Sequence, residues 1–149
     1  MPSQPTEPTQ PSAELVDMLV QSAFTTMAVL TRIAAAHDLS LTQLRVLGIL
    51  RDRQVRMTEL ADYLGLEKST MSGLVARAQA RGLVQRVPNP TDGRAVDVRL
   101  TAAGHELADR VAARVAAELA PSTAGLSATE QRRLAGALHR TISSPAFRR

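Results

Sequence analysis

Residues 60–101 constrain this chain more than any other stretch. Leu60, Ala61 and Leu64 recur at helical spacing, and Leu64-Gly65-Leu66 supplies a tight turn. A second helix follows through Lys68-Ser69-Thr70-Met71-Ser72-Gly73-Leu74-Val75-Ala76-Arg77 and stops near Gly82. Its buried stripe is Met71, Leu74, Val75 and Ala78, spaced i, i+3, i+4, i+7. Residues 83–87 and 95–100 then read as paired strands around Asn89-Pro90-Thr91-Asp92-Gly93-Arg94, with Gly93 allowing a tight turn at the tip. Alternation in the second strand predicts Val96, Val98 and Leu100 facing in, with Ala95, Asp97 and Arg99 facing out. Two helices and a hairpin in this order make a winged helix, a shape that sets one helix in the DNA major groove and lays the hairpin on the backbone or minor groove. The expected fold class is mainly α: a winged helix-turn-helix with flanking helices and a two-stranded β-wing.

Charge coincides with that shape. Residues 41–101 hold ten basic and six acidic side chains, whereas the flanks hold eight of each and cancel. The net charge of +4 therefore lies wholly in the segment with the DNA-binding pattern, as phosphate contact requires.

The flanks read as helices. Pro2, Pro5, Pro8 and Pro11 punctuate a polar opening segment, residues 1–11, expected to be a disordered tail. Ser12 can cap a long helix to about residue 36, in which Leu15, Leu19, Ala23, Met27, Leu30 and Ala34 form one stripe and Val16, Val20, Phe24 and Val29 widen it. After the connector His37-Asp38-Leu39-Ser40, residues 41–53 read as a helix, and Thr58 as the N-cap of the next. Thr101 caps a helix to about residue 120, broken by Pro121, and Ser127-Ala128-Thr129-Glu130 is a capping box opening a last helix ended by Pro145. With aromatic content of 2%, limited to Phe24, Tyr63 and Phe147, these long aliphatic helices are hard to cover alone. That favours an oligomer, with residues 12–36 and 101–145 as dimerisation helices around a DNA-binding domain at 39–100.

Other chemistries lack their residues. There is no cysteine, hence no disulfide or thiolate metal site. His37, His105 and His139 are dispersed, and His105-Glu106 is followed by Asp109 where a zinc-protease helix needs its second histidine. No phosphate loop or nucleophile elbow is present, so neither catalysis nor a cofactor or metal is expected. Aromatic platforms for single strands are missing too. No apolar run approaches a membrane span and no signal peptide is evident, which gives a cytoplasmic expectation with no membrane partner.

At this point the chain resembles the MarR family of bacterial transcriptional regulators. The resemblance rests on Leu60-Ala61, Leu64-Gly65-Leu66, Lys68-Ser69-Thr70-Met71-Ser72 with Leu74-Val75, Arg81-Gly82-Leu83-Val84, Asp92-Gly93-Arg94 and Leu100-Thr101-Ala102-Ala103-Gly104, in that order and spacing. It implies a homodimer whose first and last two helices interleave. It also implies a pseudo-palindromic double-stranded operator and, in many members, release by a small lipophilic or phenolic ligand.

The resemblance assigns DNA contact to Lys68, Ser69, Thr70, Ser72, Gly73 and Arg77 on the recognition helix, and to Arg86, Asp92 and Arg94 on the hairpin. Ser69 and Thr70 read equally as helix caps, and Arg77 as a surface ion pair. Gly73 departs from the longer polar side chains of many relatives, and its role in base readout stays open. In the family the Asp of Asp92-Gly93-Arg94 braces the wing and the Arg enters the minor groove. By the same analogy Met27, Leu30, Leu47 and Tyr63 lie near a ligand pocket, though each reads as plain core. The leading reading is a repressor released by a ligand. An architectural DNA-binding protein indifferent to effectors, and a winged helix used for protein contact, are the alternatives.

Overall fold

The structure is a computed structural model and describes residues 10–143. The expected tail falls largely outside the described residues, as do Pro145 and Phe147. Six helices and three strands follow one another: α1 (Ala13–Ala35), α2 (Leu41–Leu50), β1 (Val55–Arg56), α3 (Met57–Leu64), α4 (Lys68–Ala80), β2 (Val84–Pro88), β3 (Val96–Leu100), α5 (Ala102–Thr123) and α6 (Ala128–Ile142). The strands form one antiparallel sheet in the order β1-β3-β2, with Val55 opposite Val98 and Arg86 opposite Val98 on the other side.

Capping chemistry sets most helix starts. Ser12, Ser40, Thr101 and Ser127 each accept a hydrogen bond from a first-turn amide. Gln43 and Glu130 reach back to complete capping boxes. Thr58 does not act as a cap: α3 starts two residues earlier, with Arg56 at the N-cap and no side-chain bond, because residues 55–56 are drawn into the sheet. The same pairing ends α2 at Leu50, short of the expected residue 53. Pro121 does not break α5, which runs on to Thr123.

One core holds the centre together. Leu50, Leu60, Met71, Val75, Val84 and Val98 are its most buried large side chains, joined by Ile33 from the end of α1 and by Leu107, Ala108 and Val111 from α5. The flanking helices are thus rooted in the same core as the winged segment. Gly104 shows how closely: a Cβ there would lie 2.0 Å from the Leu83 carbonyl oxygen. Thr101 anchors the joint, donating its amide to the Leu83 oxygen at 3.1 Å and its hydroxyl to the Gly82 oxygen at 2.5 Å. Farther along, Arg32 of α1 pairs with Glu118 of α5, which also accepts from Arg114, and Arg51 pairs with Asp109. The two arginines hold the Glu118 carboxyl below its ordinary range.

Outside this core the long helices lie bare. Along α1, Leu15, Val16, Leu19, Val20, Phe24 and Met27 are 38–72% exposed, and α6 buries nothing while presenting Leu134, Leu138 and Ile142 to solvent. In contrast to the sequence reading, α1 is long and apolar enough to cross a membrane by length and composition, its best window having a mean hydropathy of 1.3. Asp17, Gln21 and Thr25 interrupt the run without offsetting its aliphatic content, and Gln21 and Thr25 turn inward on their own helix to satisfy themselves.

Candidate nucleic-acid interface

The turn between α3 and α4 is built on a left-handed residue. Gly65 has φ 64°, and the Leu66 amide reaches back to the Ala61 oxygen at 2.9 Å, closing the end of α3 in the way glycine-ended helices do. That turn aims α4 with Met71, Leu74, Val75 and Ala78 inward. Lys68, Ser69, Thr70, Ser72 and Arg77 are exposed on the other side. Neither Ser69 nor Thr70 caps the helix: the N-cap is Glu67, which makes no side-chain bond. Their hydroxyls and the first-turn amides of α4 therefore face outward, the arrangement that favours an anionic partner. Gly73 sits half-buried under Arg77, whose Nη1 lies 3.5 Å from where a Cβ would be.

Arg86, on β2, is occupied differently. Its Nη2 donates to the Ser72 carbonyl at 3.0 Å and hydroxyl at 3.2 Å, tying the hairpin to the middle of α4. Arg81, at the other end of α4, donates to the carbonyls of Asp38 at 2.7 Å and His37 at 3.0 Å. Asp38 is the non-glycine residue at positive φ (54°) among the described residues, so Arg81 clamps the strained connector between α1 and α2 to the end of α4. Sequence reading passed over Arg81 as a site residue; its place in a familiar motif gave no sign of a backbone clamp.

The hairpin tip carries Arg94. Its amide is held by the Asp92 carboxylate at 3.1 Å, and Asp92 also lies 4.0 Å from Arg56 of β1. Among the described residues nothing pairs with the Arg94 side chain, which stands exposed. Gly93 does not have a positive φ, so the tip is not closed by glycine's conformational freedom. Asn89 closes it instead: its Oδ1 accepts from the amides of Thr91 and Asp92 and from the Thr91 hydroxyl, each at 3.0 Å.

β3 departs from simple alternation. Val96 is 41% exposed, while Asp97 is 5% exposed and buried. Asp97 still lies on the face opposite Val98 and Leu100, but Gln54 and Asn89 cover it there. Gln54 Nε2 donates to one Asp97 oxygen at 2.7 Å and Asn89 Nδ2 to the other at 2.9 Å. These bonds, with the Arg56 charge nearby, hold the Asp97 carboxyl below its ordinary range against the opposing effect of burial.

The four residues assigned to a ligand pocket differ in burial. Leu47 is core, Leu30 half-buried and Met27 exposed. Tyr63 is 58% exposed, with the guanidinium carbons of Arg45 and Arg53 5.9 and 5.6 Å from its ring centre. Leu47 lines an apolar cavity of ≈ 10 Å³ with Leu39, Val46, Leu74 and Leu83, room for about one water.

A helix-turn-helix packed on a hairpin with a projecting arginine defines a winged-helix protein. Residues 37–95 match the model of the MarR family. The HTH-type transcriptional repressor IacR of Pseudomonas putida is 32% identical over 81 residues, 54% of this chain and 48% of that protein. The chain thus spans about half the length of the curated relative it matches. The crystal structure of NadR in complex with 4-hydroxyphenylacetate is similar at a TM-score of 0.75 and 21% identity, covering 96% of this chain and 99% of that one. A mutant MarR from E. coli complexed with operator DNA is similar at a TM-score of 0.67 and 24% identity, covering 87% and 94%. At these identities both structures speak for the fold.

Proposed function

We propose that this protein is a cytoplasmic transcriptional regulator, not an enzyme, that binds a pseudo-palindromic DNA duplex as a homodimer and represses until a small lipophilic or phenolic ligand releases it. The observation that carries DNA binding is the pairing of two exposed features on one rigid frame. The uncapped face Lys68–Ser69–Thr70–Ser72 of α4 presents donors, and the hairpin beside it, tied on by Arg86, presents an unpaired Arg94. Donors on a helix face suit the major groove, and an isolated arginine on a wing suits the negative potential of a narrow minor groove. In this reading Arg77 holds phosphate, Asp92 and Arg86 position rather than contact, and Gly73 lets the Arg77 head lie along the helix.

The bare aliphatic faces of α1 and α6 support residues 12–36 and 101–145 as the dimerisation region, with 39–100 as the DNA-binding domain. Covering those faces with a second copy also accounts for an α1 apolar enough for a membrane. The ligand reading leans on the NadR complex and on exposed Met27 with half-buried Leu30 beside it on α1. The ≈ 10 Å³ cavity is far too small for a phenolic acid, and in this reading the partner subunit completes the pocket. Selection of duplexes from a random library tests the reading. The expected product is an inverted repeat with half-sites about ten base pairs apart, and a phenolic acid should lower the affinity for it. Enrichment of no motif, with binding indifferent to such acids, supports the architectural alternative.

A further inference from the structure

We propose that Asp97 is a positioning residue for DNA binding, setting the place of Arg94 through an unbroken chain of hydrogen bonds that runs from Gln54, just ahead of β1, to the wing tip. The inference deepens the DNA-binding reading and rests on it. Asp97 is the buried charged side chain of the described residues. Its two oxygens accept from Gln54 Nε2 at 2.7 Å and Asn89 Nδ2 at 2.9 Å. The opposite atom of the Asn89 amide accepts from Thr91 and Asp92, and Asp92 in turn accepts from the Arg94 amide at 3.1 Å.

The chemistry of the carboxylate gives this chain its direction. An ionised carboxylate only accepts, so Asn89 must turn its NH2 toward Asp97 and its oxygen toward the loop amides. With an apolar side chain at 97 the Asn89 NH2 loses its acceptor, and the side chain around which the loop folds is held only by the loop's own donors. Core stability does not account for the carboxylate. A buried charge has to be compensated to be tolerated at all, and apolar replacements of buried ionic groups are often neutral or stabilising. What an apolar residue cannot do here is reach the tip, five positions from Asn89 to Arg94, and hold an otherwise unsupported arginine in one place.

The test uses the full chain with Asp97→Val, and Asn89→Ala as a second variant that cuts the same chain outside the core. Without DNA, amide exchange at Thr91, Asp92 and Arg94 should accelerate at least about tenfold in both variants while Val75 in α4 exchanges as in wild type. On a selected operator both should lose about 5- to 150-fold in affinity, the range for one lost arginine contact. The decisive comparison is Asp97→Val added to Arg94→Ala: it should cost nothing further, since the contact it positions is already gone. Unchanged exchange at the three amides, or losses that simply add, overturns the proposal. If Asp97→Val does not fold, Asn89→Ala alone decides by the same criteria. If wild type binds no duplex, the functional reading fails and Asp97 has no DNA contact to position, even where exchange shows the brace.

Discussion

Replacing Gly104 by alanine puts a methyl carbon 2.0 Å from the Leu83 carbonyl oxygen, 3.0 Å from its carbon and 3.3 Å from Leu100 Cβ. The first of these is backbone and cannot rotate aside. Real Cβ atoms essentially never come within 3.0 Å of a neighbour, so α5 must retreat by about 1 Å at its first turn. The retreat strains the Thr101 amide bond to that same oxygen, at 3.1 Å, a bond worth about 0.5–1.5 kcal/mol. Overpacking of this kind costs about 1–3 kcal/mol, and the better helix propensity of alanine returns up to about 1 kcal/mol. The expected net effect is destabilisation by roughly 1–3 kcal/mol. Gly48, in α2, is the control: it has nothing within 4 Å of its own added Cβ, so Gly48→Ala should stabilise by about 0.5–1 kcal/mol. Urea unfolding at one protein concentration measures both, concentration being fixed because a dimer's midpoint depends on it. A Gly104→Ala midpoint at or above wild type would refute the close seating of α5 on the α4–β2 turn.

Three further outcomes follow from the same geometry. Arg94→Ala should leave stability within about 0.5 kcal/mol, as for an exposed side chain, yet weaken operator binding by about 1–3 kcal/mol, with Asp92→Ala milder; titration against one duplex at matched salt reads both. Sedimentation at micromolar concentration should show a dimer without DNA, given the bare faces of α1 and α6; a stable monomer would remove the two-half-site model. Asp97, Glu118 and Glu130 have carboxyls held below their ordinary values of 3.8, 4.5 and 4.5, so the unfolded chain binds more protons there. Their stabilisation is complete above those values and is lost as pH falls through the lower folded ones, so acid unfolding should begin below about pH 4 and Glu118→Gln should flatten it.

The helices were legible because each signal is local. Ser12, Ser40, Thr101 and Ser127 mark helix starts by chemistry carried within four residues, and Gly65 and the stripe from Met71 to Ala78 fix the helix-turn-helix. What escaped depends on pairing across distance. β1 is two residues long and exists only because β3 is there to receive it. Its presence shortened α2 and displaced the start of α3, while Asp97, on the outward face of β3, is buried by Gln54 and Asn89. Arg86 read as a DNA contact and Arg81 only as part of a motif in a basic segment, yet both spend their guanidinium groups on backbone carbonyls of this chain. Asn89 is the partial exception, since an asparagine before Pro-Thr-Asp is a recognisable turn former and its role at the tip could have been read.

DNA binding through the wing is tested most directly by the salt dependence of duplex binding by wild type and Arg94→Ala, measured on the same selected inverted repeat. Wild-type affinity should fall by ~10³–10⁵ between 50 and 200 mM salt, as for about six to ten phosphate contacts per dimer. Arg94→Ala should be weaker at every salt concentration, with a slope shallower by about one for each wing that neutralises phosphate. Superimposable curves for the two proteins, or no duplex binding by wild type at 50 mM salt, would contradict a winged helix that grips DNA through Arg94.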